Sequence, residues 1–191
     1  RFDDMDISAS RFIFSEFQDM IDKRMVEIFF CPEVCVDKKL FNTYFLWEAP
    51  RVLMVPSDHP IAQRGGYDNY DFSNDKFVMI DVGPTNRRSA MEKIKKHFNV
   101  QESQITMLDD LSTFSANIET RNVITIIPMP YRYVDDRRFW FVPMDPEVWK
   151  PFRIVAAWLD DNKKGVLNEL IGILKQFFPG ESYRMSIKMG E

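Results

Sequence analysis

The sequence predicts an α/β protein. Three observations carry that expectation. Helical and strand patterns alternate from end to end, the strands are short apolar runs stopped by Pro or Gly, and the helices between them run about 10 to 15 residues. Taken in order, Met5, Asp6 and Ile7 read as part of a strand that the first residue already interrupts. A chain opening on Arg1 in mid-strand is therefore expected to be a piece of a longer protein. Ile13, Phe17, Met20 and Ile21 recur at helical spacing with Ser10 as the N-cap, and Met25 to Cys31 is a buried strand ended by Pro32. Strands follow over Leu40 to Leu46 and Arg51 to Val55, then turns from Pro56 to Pro60 and a loop from Gly65 to Tyr70.

The same rhythm continues. Lys76 to Val82 is a strand stopped by Gly83 and Pro84, and Thr85 caps a helix whose apolar face is Met91, Ile94 and Phe98. Gln104 to Leu108 is a strand. Asp109 or Asp110 caps the next helix, with Leu111, Phe114, Ser115 and Ile118 on one side. Val123 to Ile127 is a buried strand stopped by Pro128. Strands over Arg138 to Val142 and Phe152 to Leu159 precede a last helix that begins at Asn162, with Val166, Leu170, Ile173 and Phe177 facing the core.

Composition narrows the function. The 191 residues carry 29 acidic and 25 basic side chains, a net charge of −4, so the chain alone is a poor match for a phosphate backbone. Hydrophobic residues at 45% and charged ones at 28% match a folded globular protein and exclude disorder. No run approaches the roughly 18 apolar residues of a membrane span, and the acidic start is unlike a signal peptide, which predicts a cytoplasmic protein. Cys31 and Cys35 are the only cysteines and the two histidines lie far from them, so reduced thiols are expected, with no metal or cofactor.

No nucleophile elbow or Ser/His/Asp signature is present, and neither phosphate-loop pattern can be written from these glycines. The expectation is a non-enzyme. In α/β folds ligands bind beyond the C-terminal ends of strands, which directs attention to Cys31, Pro32 and Glu33, to Gly83 through Arg88, to Leu108 through Thr113, and to Pro128 and Met129. One of these carries a chemical signal. Arg87 and Arg88 lie in the first helical turn, where the macrodipole is already positive. There the Thr85 hydroxyl, the N–H groups of Asn86 and Arg87, and a guanidinium can converge on an anion.

The stretch from Val52 to Ala62, a strand followed by Pro56-Ser57-Asp58-His59-Pro60-Ile61-Ala62, resembles the strand and P-x-H-P-L-A motif of the effector-binding domain of LysR-type transcriptional regulators. Upstream, Phe14 to Phe29 resembles that family's helix and strand, with Lys23 and Arg24 where the family prefers glycine and Glu27 where it prefers aspartate. Phe77 to Ile80 with the helix to Phe98, Asp109 to Pro128, and Phe141 to Asp145 with Arg153 to Trp158 are similar to later family segments in the same order. Glu119, Thr120, Arg121 and Asn122 stand where the family has glycines, and its first strand and helix and its winged helix-turn-helix have no counterpart after Arg1.

The resemblance implies two α/β lobes joined by two crossover strands, similar to type II periplasmic binding proteins, with residues 1–55 plus 155–191 in one lobe and 56–154 in the other. It implies a small, anionic or amino-acid-like effector in the cleft, touching Ser10, Cys31, Pro32, Val55, Thr85, Asn86 and Pro128; the helix-start argument adds Arg87. It also implies a homodimer or homotetramer, with DNA bound by an N-terminal helix-turn-helix absent from this chain. The same fold serves solute-binding proteins of transporters, which stand as the alternative.

Overall fold

Strands and helices alternate from Phe17 to Phe177 in the computed structural model, which describes residues 8–10, 16–81, 83–120, 123–129, 136–161 and 165–179. The α/β class is the one the sequence predicts. The described residues form two units, one reaching to Glu48 and resuming at Arg153, the other Ala49–Phe152. The predicted strand at Met5 to Ile7, Ile13 of the first helix, Asn122 and the helix start at Asn162 lie outside the described residues.

In the first unit a three-stranded sheet runs β1 (Phe29–Pro32), β8 (Phe152–Leu159), β2 (Phe41–Ala49), with β1 and β8 antiparallel. From Ile154 onward strand β8 reads as an unbroken apolar run because both its faces are covered. Val155 and Ala157 pack with Phe29, Phe41, Ile21 and Phe17, the last two from helix α1 (Phe17–Asp22), while Ala156 packs on the other side with Leu46 and Leu174 of helix α5 (Gly165–Phe177). The predicted strand at Met25 begins only at Phe29. Helix α1 closes in a Schellman arrangement, in which Met25 N–H donates to Met20 C=O (3.0 Å) and Arg24 N–H to Ile21 C=O (2.9 Å), and Arg24 adopts φ 50°. A left-handed residue is what glycine would supply at least cost. The turn spends Met25 on capping, leaving its side chain 60% exposed.

Helix α5 corrects a face. Leu167, Ile171 and Leu174 are buried, whereas the predicted Val166 and Phe177 are 54% and 70% exposed. Two apolar stripes one residue apart run along this helix, and the sheet covers the second. Leu174→Ala is therefore expected to cost about 2–3 kcal/mol in urea unfolding, and Phe177→Ala less than about 0.5 kcal/mol. Equal losses would contradict the observed face.

In the second unit, strands β6 (Thr125–Pro128) and β7 (Phe139–Pro143) flank β3 (Arg51–Pro56), both antiparallel to it, and β4 (Phe77–Ile80) pairs in parallel with β5 (Ile105–Leu108). A parallel bridge from Phe77 to Ile124, with Val78 N–H donating to Ile124 C=O (3.0 Å), joins the two sheets. Alternation again separates two cores. Leu53, Val55 and Phe77 face helix α2 (Pro60–Arg64) and helix α3 (Pro84–Phe98) through Ile61, Ile94 and Phe98. Val52, Met54 and Val78 face Phe114 and Ile118 of helix α4 (Leu111–Thr120). Asp110 caps α4 as expected, its Oδ2 accepting from Thr113 N–H at 2.6 Å. Helix α3 starts earlier than expected: its N-cap is Gly83 at φ 100° with Pro84 in the first turn, so Thr85 is not the cap. Glycine tolerates that φ and proline suits the first helical position, a pair of local signals stronger than a Thr.

Candidate functional site

The expected ligand positions distribute over both units. In the first, Cys31 and Pro32 close β1 and are buried, and Ser10 is exposed. Burial pushes the Cys31 thiol up to about 11, and burial followed by the neighbouring Cys31 pushes Cys35 up to about 12. Both are free thiols and stay protonated near neutrality, so neither is an activated nucleophile.

Directly after β1, a 3₁₀ turn at Glu33–Cys35 brings Glu33 beside β8. Its two oxygens take different cations: Oε1 pairs with Lys38 Nζ at 2.7 Å and Oε2 with Arg153 Nε at 3.4 Å. Arg153 also reaches Glu48 at 3.7 Å, and its guanidinium lies 4.7 Å over the Phe45 ring. Glu33, Lys38, Phe45 and Arg153, with Thr43, Tyr44 and Val155, line a cavity of about 370 Å³ wholly within this unit. That volume is in the range of small-molecule sites, and its wall presents both signs of charge. Glu33 was marked in the sequence by its place just past a strand end, whereas Lys38 and Arg153 were not anticipated.

In the second unit the expected residues lie at the start of α3 (Thr85, Asn86 and Arg87), at the end of β6 (Pro128) and within β3 (Val55). The side chain of Thr85 lies outside the described residues. Asn86 is half-buried, and Arg87 has a side chain 52% exposed. The guanidinium of Arg87 does not stand alone, because Asp81 follows β4 and turns back over the helix start. Asp81 Oδ1 accepts from Gly83 N–H at 3.0 Å, and Oδ2 pairs with Arg87 Nη1 at 3.3 Å. Arg87 N–H is in turn spent on Gly83 C=O at 2.8 Å. The protein's own carboxylate thus offsets the positive helix end. An Asp two residues before Gly is an Asx-turn pattern, which accounts for the bond to Gly83 N–H, while the pairing with Arg87 is set by the fold. Pro128, half-buried, ends β6, while Val55 is fully buried in the core and offers a ligand no side-chain surface.

His59, within the motif that carried the family resemblance, is structural. It is 6% exposed, its Nδ1 accepts from Ile61 N–H at 3.2 Å, and Nε2 therefore carries the hydrogen and donates to Asp75 Oδ1 at 3.0 Å. The ring both caps α2 and fastens the segment around Asp75. Among the described residues no group of three His, Cys, Asp or Glu is placed to hold a metal, and no helix is long and apolar enough to cross a membrane.

A family model described as LysR substrate binding domain matches residues 1–179. No curated protein matches the chain in sequence. Among solved structures, the chain is similar to the regulatory domain of CcmR from Synechocystis PCC6803 in complex with 2-PG, with TM-score 0.64 and 12% identity over 88% of this chain and 80% of that one. It is similar to the BenM effector-binding domain with its effector benzoate, with TM-score 0.59 and 13% identity over 86% of this chain and 75% of that one. Full-length OxyR C199D from Pseudomonas aeruginosa gives TM-score 0.60 and 13% identity over 87% of this chain and 56% of that one. These likenesses establish the fold.

Proposed function

The chain belongs to the family of LysR substrate binding domains, the ligand-sensing regulatory domains of LysR-type transcriptional regulators, and on that premise we propose that its effector is a small organic anion or amino-acid-like metabolite. The observation that carries this reading is the start of α3, where a half-exposed Arg87 is held beside the helix N-terminus by an exchangeable carboxylate, Asp81. An incoming anion replaces Asp81 on the guanidinium and meets the positive helix end. Within the same unit Thr85, Asn86 and Pro128 complete the proposed ligand surface, with Val55 supporting it from the core, and Ser10, Cys31 and Pro32 are the proposed ligand positions of the other unit. Cys31, Pro32, Val55 and Pro128 lie on strands, and Thr85 and Asn86 in the first turn of α3. Benzoate, the effector in the similar BenM structure, is a small anion and supports the class.

The lobes of this reading are residues 1–55 plus 155–191 and 56–154, supported by the division of the chain near Glu48 and Arg153. The family is regulatory, so the chain is read as a sensor that releases its ligand unchanged, and delivery of a solute to a transporter is not favoured. We further infer a cytoplasmic homodimer or homotetramer that contacts DNA through an N-terminal helix-turn-helix outside these residues.

A thermal-shift screen of small metabolites tests the reading, since a ligand at 100 times its dissociation constant adds about 2.7 kcal/mol of stability. For an anion found in this way, Arg87→Ala is expected to weaken binding about tenfold and Asp81→Asn to strengthen it several-fold. Unchanged affinity in both variants would remove the effector from the α3 start.

A further inference from the structure

A second basic group lies elsewhere in the Ala49–Phe152 unit, built around Arg51. This residue opens β3, with its backbone opposite Pro128 of β6. Its Nε donates to Lys150 C=O at 3.0 Å, and its guanidinium carbon lies 5.3 Å from the centre of the Phe152 ring. Two contacts therefore set the plane of the guanidinium. Among the described residues neither Nη1 nor Nη2 has an acceptor, so the forked edge is presented ready-oriented. From α3, Lys93 reaches the same turn: its Nζ donates to Val148 C=O at 2.6 Å and lies 4.4 Å over the Trp149 ring. Lys150 is the third cation.

The charges do not balance. Lys150 pairs with Glu147 at 3.2 Å, an exposed contact on the same turn, and among the described residues Arg51 and Lys93 have no acidic partner. Burial lowers the pKa of Arg51, and burial together with the proximity of Arg51 and Lys150 lowers that of Lys93. Tying down a turn would require only neutral donors for the carbonyls of Val148 and Lys150. Two partly desolvated cations beside a third add repulsion that the turn does not need, and that a bound dianion relieves.

We propose that Arg51, Lys93 and Lys150 form an oxyanion site for a phosphoryl group, with the Nη1 and Nη2 edge of Arg51 as the bidentate element and the two ammonium groups flanking it. Three cations against Glu147 and Asp145 of the same turn leave one positive charge, so the preference for a phosphoryl group over a single carboxylate rests on the number and geometry of the donors. The guanidinium fork suits two oxygens of one phosphoryl group, and the aromatic rings beneath Arg51 and Lys93 hold both cations in place without neutralising them. None of these three side chains belongs to the group at Asp81 and Arg87, although Arg51 lies opposite Pro128 of the proposed effector surface, so the test has to separate the two.

Calorimetric titration of the 191-residue chain at constant ionic strength tests the assignment, with inorganic phosphate in one arm, glycerol 3-phosphate in a second and acetate in a third. Phosphate or the ester is expected to bind more tightly than acetate, and the tighter of the two identifies free phosphate or a phosphomonoester as the source. Arg51→Gln is expected to weaken that binding about tenfold or more. Lys150→Gln, on an exposed side chain whose loss leaves the fold intact, is expected to weaken it several-fold. Absence of heat with both phosphorylated ligands, or equal affinity in wild type and Lys150→Gln, overturns the proposal. Binding lost in Arg87→Ala but retained in Arg51→Gln also overturns it, by placing the anion at the α3 start.

Discussion

Phe77→Ala is expected to lower the unfolding free energy by about 4 kcal/mol, a large share of the stability of a domain this size. Phe77 has no exposed surface and sits where the two sheets of its unit meet, paired with Ile105 of β5 and bridged to Ile124. Its ring lies 5.8 Å from Phe72 and 5.1 Å from Phe98, so truncation opens a cavity among rigid rings that have few ways to close it. The loss also reaches the ligand surface, because β4 leads directly into Asp81 and so positions Arg87. Urea unfolding followed by circular dichroism measures the change. A loss below about 1.5 kcal/mol would mean that the aromatic cluster repacks and that Phe77 does not hold the sheets together.

His59→Ala is expected to cost about 3 kcal/mol. The substitution removes the cap on Ile61 N–H and leaves Asp75, with a side chain only 15% exposed, without its donor. A partner stranded in the interior costs more than the pair contributes, so the informative measurement is the double-mutant cycle. Asp75→Ala alone should cost about 2 kcal/mol, and the double variant little more than His59→Ala. Strictly additive losses would show that the two residues act independently and that the histidine serves the fold only by filling space.

These two residues show how unevenly the molecule was legible. Phe77 lies in a short apolar run, and its burial follows from that run. Histidine in the turn after β3 carried the family resemblance, yet its role could not be read from the motif, because the donor relation to Asp75 spans sixteen residues. The five-residue helix α2 that His59 caps was expected as turn and loop: Pro60 and Gly65 read as breakers, although one suits a helix start and the other, at φ 71°, its end. At the proposed ligand surface, Arg87 was singled out because a cation at a helix N-terminus is electrostatically out of place. Glu33 was marked by its strand-end position, but Lys38 and Arg153 were missed because each is ordinary alone, and only the pairing of β1 with β8 brings Arg153 to Glu33.

The sequence by itself determined the α/β class, most strands and their ends, since these follow from local patterns of apolar residues and from Pro, Gly and Asp at boundaries. It also determined family membership, through weak motifs in the right order. Tertiary structure alone decided which stripe of α5 is covered, because two adjacent apolar stripes satisfy the same periodicity and only the sheet beneath selects one. It alone decided the charge partners. Asp81 with Arg87, Glu33 with Lys38 and Arg153, and Arg51 with the turn that carries Lys150 are set by how strands and turns fold back on one another. A side chain's partner depends on position in space, and sequence separation alone does not encode that.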